Sequence, residues 1–295
     1  MKRIIFVSLL FAFVCSAHAQ MFIPTVKKIR LSYISFDAGK HSERFLDYLS
    51  MDELKKLAPN SNFLNHDFTN YYTGDWNNDD KNRSFSLQAG VKILNKKSKE
   101  FRNMTMQLGC SYYSEIYFRN NIYSDSEFVY DSTVSAGQTT YYDSLISRGY
   151  DAKFQYGQLR IDGSLLFNYK PMSQVSFFGG IGLSFGISTH PYMVVHSDYS
   201  WYNEIIYPNG QTATVNNYTS NGLIHTEINS VKSNYTTCLF IPLGIDIKLG
   251  MQNNFFKHLH VFAEARPGIA MTIFPKVVTL KYKCFQDGIG IKYSW

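Results

Sequence analysis

The sequence is dominated by segments of about ten residues in which apolar and polar side chains alternate. In residues 83–94, apolar side chains occupy every second position from Phe85 to Ile93, with Ser, Gln, Gly and Lys between them. A period of two places the apolar side chains on one face of a β-strand. About ten residues is also the length of a tilted strand that crosses a bilayer. The alternation therefore predicts strands with one apolar face, packed either around a core or across a membrane.

Eight segments carry this pattern, and polar stretches separate them. They are residues 28–36, 83–94, 102–118, 154–170, 175–188, 235–250, 258–272 and 287–295. The first is the least regular, because its alternation slips near Ile34. The connections alternate between long and short, the last is of medium length, and both termini lie on the short side. Short periplasmic turns and long extracellular loops are typical of outer-membrane barrels. The pattern predicts eight strands, with ten as the alternative count.

The last segment ends the chain on an aromatic side chain. Its apolar face consists of Ile289, Ile291, Tyr293 and Trp295. The end of a soluble domain usually frays, whereas a strand that closes a membrane barrel keeps its terminal aromatic residue at the bilayer interface. We therefore expect these four residues to serve closure of the barrel and its assembly, with the barrel-assembly machinery as a partner.

The N-terminus has the features of a secretory signal peptide. Lys2 and Arg3 precede an apolar run over residues 4–15, and the small residues Ala17 and Ala19 form a cleavage site. Large Val14 before Cys15 argues against acylation of that cysteine. No later run approaches the roughly 20 apolar residues that a spanning helix needs. The expected organisation is a signal peptide at residues 1–19 and one domain at residues 20–295.

Leader, strand pattern, loop asymmetry and aromatic terminus together resemble the small outer-membrane barrels of the OmpA and OmpX type. The resemblance covers the whole mature chain and concerns architecture. It implies an all-β fold, an antiparallel eight-stranded transmembrane β-barrel with long extracellular hairpin loops, in the cell outer membrane. It also implies a monomer among outer-membrane lipid and lipopolysaccharide, and it brings neither a cofactor nor a catalytic motif.

The polar face of the strands carries opposite charges two residues apart. They are the pairs Arg160 and Asp162, Asp246 and Lys248, and Glu264 and Arg266. One Lys or Arg on a lipid-facing surface near the midplane costs about 2–4 kcal/mol, so these side chains are expected inside. A soluble lipocalin-like barrel, with its apolar face inward, is the alternative. Eight strands enclose only enough room for side chains, which predicts a paired charge plug rather than a channel.

Aromatic residues near the strand ends predict two interfacial girdles. One end carries Tyr112, Tyr117 and Phe118, and the other carries Phe167, Tyr169, Phe255 and Trp295.

The long polar connections contain further β-prone runs around turn signals. Residues 135–138 and 208–210 predict the turns of two hairpins that continue the barrel wall. Side chains of the types that anchor protein interfaces lie in them, namely Tyr141, Tyr142, Tyr199, Trp201, Tyr202 and Tyr207. They predict an extracellular protein partner, or else they pack the hairpins against one another. Before these hairpins, Ser50 and Glu53 form a capping box that predicts a short helix.

Signals for chemistry are sparse. Ser188, His190 and Glu115 could meet at the barrel rim and form the catalytic site of a hydrolase that acts on lipid A or peptides. His258 and His260 could bind a metal as a pair, but the sequence offers no third ligand. Cys110, Cys238 and Cys284 are too widely spaced for a metal motif or a disulfide framework. The net charge of +6 is too evenly spread for nucleic acid binding. We expect a role in cell-surface interaction, adhesion or envelope structure, with an accessory barrel of a protein-export machine as another alternative.

Overall fold

A computed structural model of the chain describes residues 28–45, 49–65, 67–69, 71–73, 82–94, 104–169, 171, 173–219, 225–250 and 255–295. The predicted signal peptide lies outside these residues. The strands are β1 (Lys28–Phe45), β2 (Tyr72–Thr73), β3 (Asn82–Leu94), β4 (Met104–Ser135), β5 (Gln138–Tyr169), β6 (Val175–Ile206), β7 (Thr212–Thr219), β8 (His225–Ser230), β9 (Tyr235–Phe240), β10 (Leu243–Lys248), β11 (Leu259–Phe274) and β12 (Val278–Ser294). Helix α1 covers Met51–Leu57, and a 3-10 turn covers Phe256–His258. None of the helices in these ranges is long and apolar enough to cross a membrane.

The strands close into an antiparallel ring of eight. The wall runs from β1 through β3, β4, β5 and β6 to β9 and β10, and then through β11 and β12 back to β1. Strands β9 and β10 form a single wall strand, interrupted at Ile241 and Pro242, because both pair with β6 and with β11. The last strand pairs with the first from Tyr33 and Ser294 to Phe45 and Tyr282. Eight strands and closure by the C-terminal strand are therefore confirmed.

A continuous apolar band covers the outside of the ring. Large apolar side chains that point outward include Phe36, Leu87, Leu108, Ile161, Phe185, Ile245, Ile269 and Ile289. Polar and charged side chains of the same strands point inward and are buried. This arrangement suits a wall with lipid outside, since an exposed apolar surface of this extent is costly in water. The chain is an outer-membrane β-barrel, and the lipocalin-like alternative is wrong.

Above the band, the inner face changes from polar to apolar at two bulges. Glu115 of β4 and His190 of β6 have positive φ values of 55° and 49°, and the strand registers shift beside both residues. A bulge adds one residue, so the side chains beyond it exchange faces. As a result Phe118 is buried inside the barrel. Its predicted place in an outer aromatic girdle was wrong.

The segment after β1 fills this apolar upper half. Ser50 and Glu53 form the predicted capping box at the start of α1. This segment buries Leu49 just before the helix, Leu54 and Leu57 within it, and Leu64 and Phe68 after it. These side chains belong to one cluster with inner-face residues of the wall, including Ile116, Phe118, Ile122, Phe154, Tyr156 and Met193. The extracellular mouth is thus closed by a hydrophobic plug, which we call the mouth plug (residues 49–65, 67 and 68).

Three wall strands are far longer than the bilayer requires. Strands β4, β5 and β6 contain 32 residues each, whereas about 9–11 residues cross a membrane. The segments expected to be hairpins continue the wall, as predicted. One turn is formed by Ala136 and Gly137, both with positive φ, as a type I′ turn requires. The other lies at Pro208–Gly210, where Tyr207 N–H donates to the Gln211 carbonyl at 2.9 Å.

Two predicted boundaries were wrong. Strand β1 continues to Phe45 instead of ending at Phe36, and β12 begins at Val278 instead of Asp287. The irregularity of β1 is a bulge between Leu31 and Tyr33, which turns Tyr33 inward. In β1 beyond Phe36, polar side chains occupy both faces, so hydrophobic alternation no longer marks the strand. In β12 the alternation is reversed over residues 279–284, because the lysines point outward and Leu280, Tyr282 and Cys284 face the interior.

Candidate functional site

The lumen at membrane level contains a network of buried charges. Of the six charged residues predicted to face inward, Arg160, Asp162, Asp246, Glu264 and Arg266 are buried, and Lys248 is half-buried. Of the three pairs of charges that lie two residues apart, one forms an ion pair between its own members. Arg266 Nε donates to Glu264 Oε1 at 2.7 Å, and its Nη2 donates to Oε2 at 3.2 Å. The other charged residues of the six contact partners outside their own strand.

Arg160 pairs with Glu43 of β1. Its Nη2 donates to Glu43 Oε1 at 2.8 Å, and the same oxygen is 2.8 Å from His41 Nε2. Gln158 accepts from the guanidinium, which also lies 4.3 Å from the centre of the Tyr113 ring. Asp162 instead accepts from Ser111 and lies 3.9 Å from Arg266. Sequence reasoning missed Glu43 and His41, since both lie beyond the predicted end of the first strand.

A second group of charges lies near the periplasmic end. Asp246 contacts Lys292 and is 2.5 Å from His260 Nδ1, while His260 Nε2 lies 2.9 Å from Ser294 Oγ. Lys248 donates to the carbonyl of Pro171 at 3.0 Å. His260 faces the lumen and is buried. No cluster of three or more metal-ligating side chains occurs among the described residues.

Aromatic rings and glycines complete the packing of the lumen. Four inward rings lie over a glycine directly across a strand pair, in the pairs Tyr33 and Gly90, Phe178 and Gly244, Phe240 and Gly182, and Phe262 and Gly290. A Cβ on any of these glycines would overlap the ring. The cavity beside Arg160 and Arg266 measures about 10 Å³, roughly the space of one water molecule. The lumen is therefore filled by its own side chains.

Two of the cysteines meet in this lumen. The Sγ atoms of Cys238 and Cys284 are 3.1 Å apart, on strands that flank Gly268 of β11. Cys110 is exposed on the outer surface. The contact was not predicted, because only the strand order brings residues 238 and 284 together.

One hairpin strand holds the mouth plug in place. Glu227 of β8 accepts hydrogen bonds from Ser61 Oγ at 2.9 Å, Asn62 N at 3.0 Å and Phe63 N at 3.3 Å. Partial burial raises the pKa of Glu227, but these hydrogen bonds outweigh it and lower the pKa below its ordinary value. The ionised carboxylate of Glu227 therefore holds the mouth plug against the barrel wall through these hydrogen bonds.

Some of the aromatic residues that were predicted to bind a partner are exposed on the sheet above the membrane. We call residues 119–135 of β4, 138–153 of β5, 192–206 of β6 and strand β7 the projecting sheet. Tyr141 and Tyr207 are exposed, and Tyr142 is half-buried. The backbones of Tyr199, Trp201 and Tyr202 lie in β6, and their side chains fall outside the described part of the structure.

The residues of the predicted rim hydrolase are not assembled. Ser188 is buried, and its Oγ accepts from Asn234 N at 2.8 Å. Glu115 and His190 are exposed at the two bulges, on strands separated by β5. Their positions reflect the change of inner face rather than a catalytic arrangement.

At the ends of the apolar band, the predicted aromatic residues outside the barrel are Tyr112 above, and Phe167, Tyr169, Phe255 and Trp295 below. Ile289 and Ile291 point toward lipid, and the Tyr293 ring lies 5.5 Å from that of Trp295. Tyr117 is half-buried under Lys153, whose Nζ lies 3.9 Å from the ring centre.

No protein-family model and no curated protein matches the sequence. Among solved structures, Neisserial surface protein A (NspA) is similar at 11% identity and a TM-score of 0.37, over 91% of this chain and 100% of that chain. Ail, the attachment invasion locus protein of Yersinia pestis, solved with the heparin analogue sucrose octasulfate, is similar at 12% identity and a TM-score of 0.29, over 89% and 98%. The translocator domain of the autotransporter NalP from Neisseria meningitidis follows at 12% identity and a TM-score of 0.20, over 97% and 98%.

Proposed function

We propose that this protein is a closed outer-membrane barrel that holds a rigid β-sheet above the cell surface for interaction with an extracellular partner. The observation that carries the proposal is the length of β4, β5 and β6, which remain paired far beyond the apolar band. At about 3.3 Å per residue, 32 residues span roughly 100 Å before tilt. A barrel that served only as a membrane plug would not need strands of this length.

The edges of the projecting sheet favour a partner that adds a strand. Beyond Tyr123, no described strand pairs with the outer edge of β4, and none pairs with the far edge of β7. Unpaired edges offer backbone N–H and C=O groups to an incoming extended peptide. The exposed rings of Tyr141 and Tyr207 supply apolar contact area beside them.

The filled lumen favours a binding role over transport. The buried ion pairs, the rings packed over glycines and the mouth plug occupy the path along the barrel axis. In this proposal the charged lumen residues stabilise the narrow barrel and form no path for solutes. They are Arg160, Asp162, Asp246, Lys248, Glu264 and Arg266.

Truncation of the projecting sheet tests this function. Because Tyr123 pairs with Gly149, residues 124–148 can be replaced by Asn-Gly, which forms the same type of turn. Cells that carry the full protein should adhere to one another, or to surfaces coated with extracellular proteins or glycans, and cells with the truncated protein should not. The truncated barrel should still migrate faster on gels unless boiled. Equal adherence of both cell types would contradict the proposal.

A further inference from the structure

Five cationic side chains form a patch on the outer wall, just above the apolar band. They lie on three adjacent strands and point outward, with Lys281 and Lys283 on β12, Lys40 and Arg44 on β1, and Arg83 on β3. We call them the cationic patch. All five are exposed, and none forms an ion pair with a described residue.

Strand register brings these cations directly opposite one another. Arg44 is the cross-strand partner of Lys283, and Lys40 is the partner of Arg83. Like charges in directly opposed positions destabilise a sheet. Among the described outward side chains of the three strands, Asp287 is the one carboxylate, and it accepts from the backbone N–H of Lys40 at 3.2 Å. Asp287 on β12 is also the cross-strand partner of Lys40, so it offsets one of the five charges and the patch keeps a net positive charge.

The patch coincides with the upper edge of the lipid-facing surface. Phe85 is the next outward residue below Arg83 and pairs with Ala38, the next outward residue below Lys40. Phe285 is the next outward residue below Lys283 on β12, and it pairs with Ser42, which lies between Lys40 and Arg44 on β1. Both rings are exposed, as is that of Phe36. Aromatic rings beneath Lys and Arg mark the level where acyl chains end and headgroups begin.

We propose that the cationic patch binds the phosphate groups of a phosphorylated lipid in the outer leaflet. Its acyl chains would lie against Phe36, Phe85 and Phe285. Arginine donates to phosphate with two parallel N–H groups, and lysine adds a point charge. An anion between Arg44 and Lys283, or between Lys40 and Arg83, replaces repulsion with attraction to both cations. The long side of the barrel faces the outer leaflet, because long hairpins are extracellular.

The chain provides a matched control at the mouth of the barrel. Lys56, Lys232 and Lys276 line a pocket of about 420 Å³, together with Leu57, Val231 and Phe274. These lysines are also exposed. They lie around α1 and the β11–β12 turn, away from the lipid-facing band. Their substitution therefore shows whether any loss of positive charge, rather than loss of the patch, weakens lipid binding.

Binding to the folded mature protein in neutral detergent tests the proposal. The probes are lipid A with both phosphates, the same lipid without phosphates, and inorganic pyrophosphate. Native mass spectrometry gives the bound fraction, and the midpoint temperature for loss of the folded form on gels gives stabilisation. The variants are K40Q/R44Q/R83Q/K281Q/K283Q, the smaller R44Q/K283Q, and the control K56Q/K232Q/K276Q.

Phosphorylated lipid A should bind and raise the melting midpoint of the wild type and of the control variant. Its affinity for the five-residue variant should be at least about tenfold lower than for the wild type, since each Lys or Arg near a charged surface contributes measurably to the binding free energy. The affinity for R44Q/K283Q should lie between those of the wild type and the five-residue variant. Equal affinity for the patch variants and the control would overturn the proposal. So would equal binding of the phosphate-free lipid, which would assign the contact to acyl chains, or equal binding of pyrophosphate, which would assign it to a soluble anion.

Discussion

At the scale of single residues, the interior is shaped by aromatic rings that lie over glycines. Phe240 covers Gly182 on the neighbouring strand, and three other pairs repeat the arrangement around the lumen. Each ring fills the space that a side chain on the glycine would otherwise occupy. The packing of the lumen therefore requires the glycines of the inner face as much as it requires the rings. The sequence shows glycines at alternate positions, but only the strand register reveals which ring each one receives.

The substitution Gly182→Ala tests this packing. Its Cβ would overlap the Phe240 ring, and overpacking of this kind costs about 1–3 kcal/mol. Gly163 is the control, because it faces lipid and its Cβ would meet Leu108 at 3.7 Å, an ordinary contact. Urea unfolding of the barrel in detergent should show a lower midpoint for Gly182→Ala and little change for Gly163→Ala. Equal stability of both variants would show that the ring moves aside without cost.

The buried Arg160 provides a second test at this scale. Glu43→Ala removes the carboxylate that pairs with the guanidinium, and breaking a buried pair costs about 3–5 kcal/mol. Glu264→Ala should act in the same way, because it removes the partner of Arg266. Asp287→Ala, which removes an exposed carboxylate, should cost far less. If all three variants unfold at the same urea concentration, the lumen charges are solvated and do not support the barrel.

At the scale of elements, the mouth plug depends on one carboxylate. The hydrogen bonds to Glu227 need its ionised form, and they lower its pKa. Their stabilisation is therefore fully present above the ordinary glutamate pKa of about 4.3. It is lost as the pH falls through the lower pKa of the folded state.

Hydrogen exchange at the backbone N–H groups of Asn62 and Phe63 measures this dependence. After correction for the intrinsic rate, protection should be high at pH 7 and should fall below about pH 4. Glu227→Gln should reduce protection at pH 7 and remove the pH dependence, while Glu204→Gln on β6 should leave both unchanged. Protection that stays constant from pH 7 to pH 3 in the wild type would refute this role of Glu227.

Much of the fold at the scale of elements follows from the alternation of apolar and polar residues. The strand ends and faces that this alternation predicted wrongly have physical explanations. Within the membrane, lipid outside and charge inside give each strand a clear period of two, so the eight strands and their faces were predictable. Above the membrane both faces of β1 are polar, and in β12 the apolar side chains point inward instead of outward, so the ends of these strands were missed. The bulge at Glu115 moved Phe118 inward, and a single extra residue leaves little trace in a sequence. The partner of Arg160 depends on curvature of the ring, which no strand pattern contains.

At the scale of the whole molecule, the barrel combines three levels with different interiors. Charges fill the lumen at membrane level, a hydrophobic plug closes the mouth, and the projecting sheet stands above both. Each level depends on the one below it, because the sheet is built from strands that also form the membrane wall. The role of Ile289, Ile291, Tyr293 and Trp295 as an assembly signal stays a prediction.

The conductance of single barrels in a planar lipid bilayer tests the central claim, that this barrel is closed and serves as a support. Purified, heat-modifiable protein should insert and show no steady ion current in salt solution, because side chains and the mouth plug fill the axis. Loss of residues 124–148 should leave that result unchanged. A large, steady wild-type conductance would contradict the account, since it would require an open path through the lumen.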